Sequence, residues 1–141
     1  MTVEVLLLLL LTAFLWGVTP VLEKIGLGRV DALTGVTIRS LAVAFSLIVY
    51  VVFTGRIKQI LQADAKSVII FSVTGIIAGL LGMLTYFAAL KRGAASQVVP
   101  IAAIYPLVAV MLSMVILGER VTPMRIAGTV LIILGIWFVQ V

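Results

Sequence analysis

The sequence predicts an all-α integral membrane protein of five transmembrane helices. Two observations carry that expectation. The 141 residues are 64% hydrophobic and only 11% charged, with a mean hydropathy of +1.38, and a soluble domain of this length has too little interior to hide so much apolar surface. Apolar stretches of the ~17–25 residues that a bilayer core demands of a helix recur five times, at about 3–23, 33–53, 68–90, 97–117 and 124–141. Together they make a single transmembrane domain over 1–141. An odd number of crossings puts the chain ends on opposite sides, so a tandem second copy would thread upside down.

The first span follows a stretch whose only early charge is Glu4, with no basic region ahead of it, so it reads as a retained helix and not a signal peptide. At 100° per residue, Thr12, Trp16, Thr19 and Glu23 share one stripe. Polar groups are costly in hydrocarbon, so this stripe should face protein or a water-filled cavity. Two readings follow: a cavity wall floored by Trp16, or threonines bonding between helices beside an interfacial tryptophan. Trp16 lies too deep for an interfacial residue, which favours the cavity. Pro20 frees the carbonyl of Trp16 and predicts a kink there.

The second span aligns Arg39, Ser46 and Tyr50 on one face. Arg39 sits roughly 9 Å inside at 1.5 Å per residue. It can snorkel or pair with Glu23 or Asp31, or it can face inward and attract a carboxylate or phosphate. The connection over 54–67 is the one long enough for a small amphipathic segment.

The third span reads as a packing surface. Ser72, Gly75, Gly79, Gly82 and Tyr86 share a face, and Gly75–Gly79 is a GxxxG, which lets helix backbones approach closely in lipid. Tyr86, at the end of that groove, can present its hydroxyl to a cavity. In the fourth span Ser96 is the expected N-cap and Pro106 falls mid-helix, freeing the carbonyl of Ala102. Ala102, Pro106, Ala109 and Ser113 form a small face with Tyr105 beside it, and a proline-broken helix is a common lining for a transport site. The fifth span starts at Thr122 as N-cap with Pro123 at the first position. Gly128 and Gly135, seven apart, suit a close helix–helix or dimer contact.

Loop basic residues set orientation. Arg56, Lys58, Lys66, Arg120 and Arg125 lie on the side of the N-terminus, against Lys24, Arg29, Lys91 and Arg92 opposite, with Arg39 just inside. The balance leans to a cytoplasmic N-terminus, in a prokaryotic inner membrane, and is even enough to permit insertion both ways.

Several classes drop out. With no cysteine and no histidine, disulfides, thiol chemistry and the usual metal sites are not expected. The net charge of +5 is scattered over short loops and does not point to nucleic acid. There is no P-loop. Glu4, Glu23, Asp31, Asp64 and Glu119 stand near span ends or in loops without a nucleophile, so no catalytic residues, no cofactor and no enzyme activity are expected. No carboxylate lies at mid-bilayer to relay protons.

Read in order, the landmarks resemble the EamA-type unit of the drug/metabolite transporter superfamily over nearly the whole chain. Trp16-Gly17, Arg39, the glycines of the third span followed by Tyr86-Phe87-Ala88-Ala89-Leu90, Ser96, Pro106, the Leu117-Gly118-Glu119 turn and Gly128…Leu131…Gly135 carry the likeness. Full-length members of that family usually join two five-helix units of opposite topology. This chain resembles the single-unit members, and its last helix resembles the dimer-forming final helix of the small multidrug resistance relatives. Their mid-membrane glutamate in the first helix has no counterpart here, which speaks against obligate exchange of cationic drugs for protons.

The resemblance implies a secondary transporter, an exporter of small metabolites such as amino acids or related solutes, working by alternating access. The expected partners are the lipid bilayer, the solute and a second copy in an inverted homodimer, or another half-transporter chain. The alternatives are a non-transporting membrane subunit, one half of a heterodimer, or a flippase for lipid-linked sugars. The candidate cavity residues are Thr12, Trp16, Thr19, Arg39, Ser46, Tyr86 and Tyr105, with Pro20 and Pro106 as kinks.

Overall fold

A computed structural model describes residues 2–139. It falls into two compact units, the first ending at Arg92 and the second beginning at Gly93. Every regular element among the described residues is a helix.

In the first unit, α1 (Val3–Leu27) starts at Thr2, whose side chain accepts from the Val5 N–H. α1 stays one helix through Pro20, which is buried. It runs a turn beyond the end expected at residue 23. Glu23 and Lys24 do not terminate it, because both charges find partners on other helices. α2 (Ala32–Phe53) is capped by Asp31, whose carboxylate accepts from the Thr34 N–H at 2.8 Å and the Thr34 hydroxyl at 2.9 Å. Asp31 is thus a cap and not the partner of Arg39. The 54–67 connection turns at Gly55, with a φ of 67° that glycine adopts freely, and holds the short helix α3 (Ile57–Leu61).

α4 (Ala65–Thr74) is capped by Asp64, which accepts from the Ser67 N–H at 3.0 Å. It passes without a break into a π-helical segment, Gly75–Gly82, and then α5 (Met83–Arg92). The three form one 28-residue apolar run. A π segment of eight residues is long for a form that mostly occurs as a single turn. Three of its residues are Gly75, Gly79 and Gly82, the type least able to hold a chain to one helical register.

α1, α2 and α5 pack against one another, and Leu27, Val36, Phe87 and Leu90 are the hydrophobic side chains they bury. Gly35 makes the approach possible. A Cβ there would lie 3.1 Å from Phe87 Cδ2 and 3.2 Å from Leu27 Cδ2. Within this unit a Cβ at Gly75 or Gly79 would meet nothing within 4 Å.

The second unit holds α6 (Ala95–Ala102), α7 (Tyr105–Ile116) and α8 (Pro123–Phe138). Ser96 is not the N-cap: Ala94 occupies that place without a side-chain bond, and Ser96 lies inside the helix. Pro106 is not mid-helix either. The chain turns at Ala103 and Ile104, and a new helix starts at Tyr105 with Pro106 in its first turn, where a missing N–H costs nothing. The span is divided between two helices, so the proline interrupts neither of them. α7 is closed just past its end by Gly118, with a φ of 65°, beyond which the Glu119 N–H reaches back to the Ser113 carbonyl, an αL closure favoured by glycine. α8 begins as expected: Thr122 accepts from the Arg125 N–H and Pro123 occupies the first turn.

Four stretches are long and apolar enough to cross a bilayer: Val3–Leu27, Ala32–Phe53, Ala65–Arg92 and Ala95–Ile116. The fifth, expected over 124–141, is helical for the 16 residues Pro123–Phe138, about 24 Å at 1.5 Å per residue against a hydrocarbon core of ~30 Å. Gln140 and Val141 lie outside the described residues.

Candidate substrate cavity

Three helices of the first unit and Val30 of the α1–α2 turn line an open cavity of about 450 Å³. α1 lines it with Thr19, Leu22, Glu23, Gly26 and Leu27, spaced by three and four along one helical face. α2 adds Gly35, Ile38 and Arg39, again at that spacing, and α5 adds Phe87. Gly35 matters twice over: its bare backbone admits Phe87, and it sits one turn before Arg39 on the same face.

Glu23 and Arg39 are the charged groups of this lining. The Arg39 Nε lies 3.5 Å from Glu23 Oε1, with the Glu23 side chain 12% exposed and that of Arg39 43% exposed. A close charge-assisted bond measures about 2.7–2.9 Å and is often bidentate, so this pair is loose and uses one edge of the guanidinium. The Thr19 hydroxyl donates to the Leu15 carbonyl of its own helix at 2.7 Å, which leaves its oxygen able to accept a bond.

The end of the unit next to the cavity is tied by two lysines. Lys24 Nζ donates to the Leu90 carbonyl at 2.5 Å and to the Lys91 carbonyl at 3.2 Å, in the last turn of α5. Lys91 Nζ returns the link, donating to the Val30 carbonyl at 2.7 Å on the cavity rim. A cation at a helix C-terminus satisfies orphan carbonyls and the negative end of the dipole. In lipid there is little hydrophobic gain in burying one apolar side chain against another. Polar ties of this kind therefore carry a large share of the cohesion.

Outside the spans, the hydrogen bonds from Thr34 hold the Asp31 carboxyl below the usual aspartate range. Those from Ser67 do the same for Asp64.

Of the seven residues expected to line a cavity, Thr19 and Arg39 do so here. Thr12 and Ser46 donate to their own helix, to the carbonyls of Leu8 and Ala42. Trp16 is largely uncovered by the chain. Tyr86 is half-buried, its ring 6.1 Å from that of Phe87, and Tyr105 belongs to the second unit. Sequence reasoning left Glu23, Gly35 and Phe87 out of the site and treated Lys24 and Lys91 as loop charges. Glu23 had a signal, since it ends the Thr12–Trp16–Thr19 stripe.

The sequence model of the EamA-like transporter family matches residues 4–141. The chain belongs to that family. An uncharacterized protein of Methanocaldococcus jannaschii is 30% identical over 127 residues, which take in 90% of this chain and 89% of the relative. That relative is accordingly about one unit long as well. No solved structure matches. Membership in the EamA-like transporter family, together with four apolar spanning stretches, makes this a membrane protein of the transporter type.

Proposed function

We propose that this EamA-family chain is a secondary transporter, an exporter of small metabolites such as amino acids or related solutes, working as a dimer by alternating access. The observation that carries the reading is the cavity itself: a mostly apolar wall with one cation and one anion converging on it, the ordinary composition of a small-molecule site. The near-balanced loop charges and the uncovered glycine faces at Gly75, Gly79, Gly128 and Gly135 support a second copy, inverted relative to the first. On this reading α8 completes the crossing as a fifth span. Its terminal Trp137 and Phe138, stacked edge to face at 5.3 Å, supply the aromatic anchor usual at a membrane interface.

Each copy's cavity lies near one end of α1, so an inverted pair offers one cavity toward either side of the membrane. Rocking one copy against the other then alternates access. Thr12, Trp16 and Ser46 of the first unit, which line no cavity within it, are left to face the space between copies. Purified chain reconstituted alone into liposomes preloaded with an amino-acid panel is expected to show counterflow of at least one member. Flux that appears only when a second, different chain is added would replace the homodimer by a heterodimer. Absence of flux in both cases would favour a non-transporting subunit.

A further inference from the structure

Arg39 brings one positive charge and Glu23 one negative into a cavity wall otherwise built from groups such as Leu22, Leu27, Ile38 and Phe87. The site is therefore neutral overall but strongly dipolar. A simple anion that engages Arg39 leaves the Glu23 carboxylate, largely buried, without its partner. An uncompensated charge of that kind is far more costly than a pair. A simple cation that engages Glu23 gains nothing from the guanidinium, although Arg39, 43% exposed, is left unpaired at a smaller cost. A solute bearing both charges satisfies both groups at once.

The pair is built to be opened. It is long at 3.5 Å and uses Nε alone. The fork of terminal guanidinium nitrogens on Arg39 matches a carboxylate bidentately. Glu23 meets the guanidinium through Oε1, and its other oxygen can take an ammonium. Apolar walls around a volume of about 450 Å³ suit an aliphatic or aromatic side chain on the same solute.

Resting on the transport reading above, we infer that Glu23 is the specificity-determining residue of this cavity. It makes the cavity select zwitterions with an apolar side chain over simple anions and simple cations. Arg39 alone would make an anion site.

Three probes of one carbon skeleton test this: leucine, isocaproate, which lacks the ammonium, and isoamylamine, which lacks the carboxylate. Binding is measured by calorimetry on the full chain in lipid nanodiscs. Leucine is expected to bind the wild type at least about tenfold tighter than either analogue, or roughly 1.4 kcal/mol. Glu23→Gln is expected to weaken leucine and make isocaproate the preferred probe, and Arg39→Gln to shift preference to isoamylamine. The double variant Glu23→Gln, Arg39→Gln leaves no charge unpaired, so it guards against misfolding, and it is expected to lose the ranking altogether. Isocaproate binding the wild type as tightly as leucine overturns the inference, as does an unchanged ranking in Glu23→Gln or no binding of any probe. In the last case counterflow of the wider solute panel still decides the transport reading on its own.

Discussion

Two glycine-bearing regions of the first unit meet opposite fates. Around Gly35 the helices close tightly: Leu27 and Phe87 stand against its backbone, and Lys24 and Lys91 stitch α1, the α1–α2 turn and α5 together. Around Gly75 and Gly79 the helix loosens into a π form, and no neighbour in the unit approaches the bare backbone. The same residue type thus marks a finished contact in one place and an unfinished one in the other. What separates them is polar bonding. Lipid tails compete well with leucine for apolar surface, so helices converge where charges and carbonyls pull them together, which is also where the cavity forms.

The comparison breaks most readily at Lys24. Lys24→Met removes the donor to two α5 carbonyls, and bonds from a charged donor contribute about 1.5–3 kcal/mol. The variant is expected to melt well below the wild type in detergent and to leave the Leu90 and Lys91 end of α5 quick to exchange its amide hydrogens. The two glycine sites should respond with opposite signs. Gly35→Ala pushes a methyl into Leu27 and Phe87, which are 2% and 3% exposed and cannot yield easily, so a loss of about 1–3 kcal/mol is expected. Gly79→Ala meets open space and should stabilise a detergent monomer by up to about 1 kcal/mol, since glycine is a poor helix residue. If a partner covers that face in the bilayer, the same change should weaken the assembly there.

The smallest effect concerns the aspartate caps. Asp31 and Asp64 are both held below their ordinary range in the folded chain, so each contributes stability above the unfolded value, and that contribution is lost as pH falls through the folded one. The melting difference between wild type and Asp31→Ala should therefore be full at neutral pH and shrink progressively below about pH 4. A difference that persisted in acid would mean the cap does not act through its charge.

Much of this arrangement was legible in the chain. Hydropathy located five stretches, of which four are helices long and apolar enough to cross a bilayer and the fifth is a shorter one, with Thr122 and Pro123 opening α8 as expected. Helical spacing put Thr19 and Glu23 on one face and allowed Glu23 as a partner for Arg39. The remainder depends on what meets across helices. Asp31 was an equally good partner for Arg39 by distance along the chain, until its carboxylate was spent on Thr34. The lysine ties join residues 61 to 67 apart in sequence and leave no local pattern. The π segment was hidden for another reason: glycines at three- and four-residue spacing look alike in either helical register. Pro106 was misjudged because a mid-span proline can either bend one helix or open a second one, and the choice rests on the turn at Ala103 and Ile104.

The central claim is that this unit is completed by an inverted copy of itself, with the loose glycine segment among the surfaces that meet. The chain has no cysteine of its own, so single cysteines report without background. Gly79 lies at the midpoint of the Ala65–Arg92 run, and an antiparallel pair related by a two-fold axis in the membrane plane brings midpoints, not ends, together. Disulfide formation in native membranes is the measurement. Gly79→Cys is expected to cross-link to its own copy, Ser72→Cys and Tyr86→Cys, on the same face seven residues to either side, each to fail alone, and the last two to cross-link when co-expressed. Self-cross-linking of Ser72→Cys would show a parallel pair, and the absence of any cross-link in a chain still active for counterflow would rule out the inverted pairing.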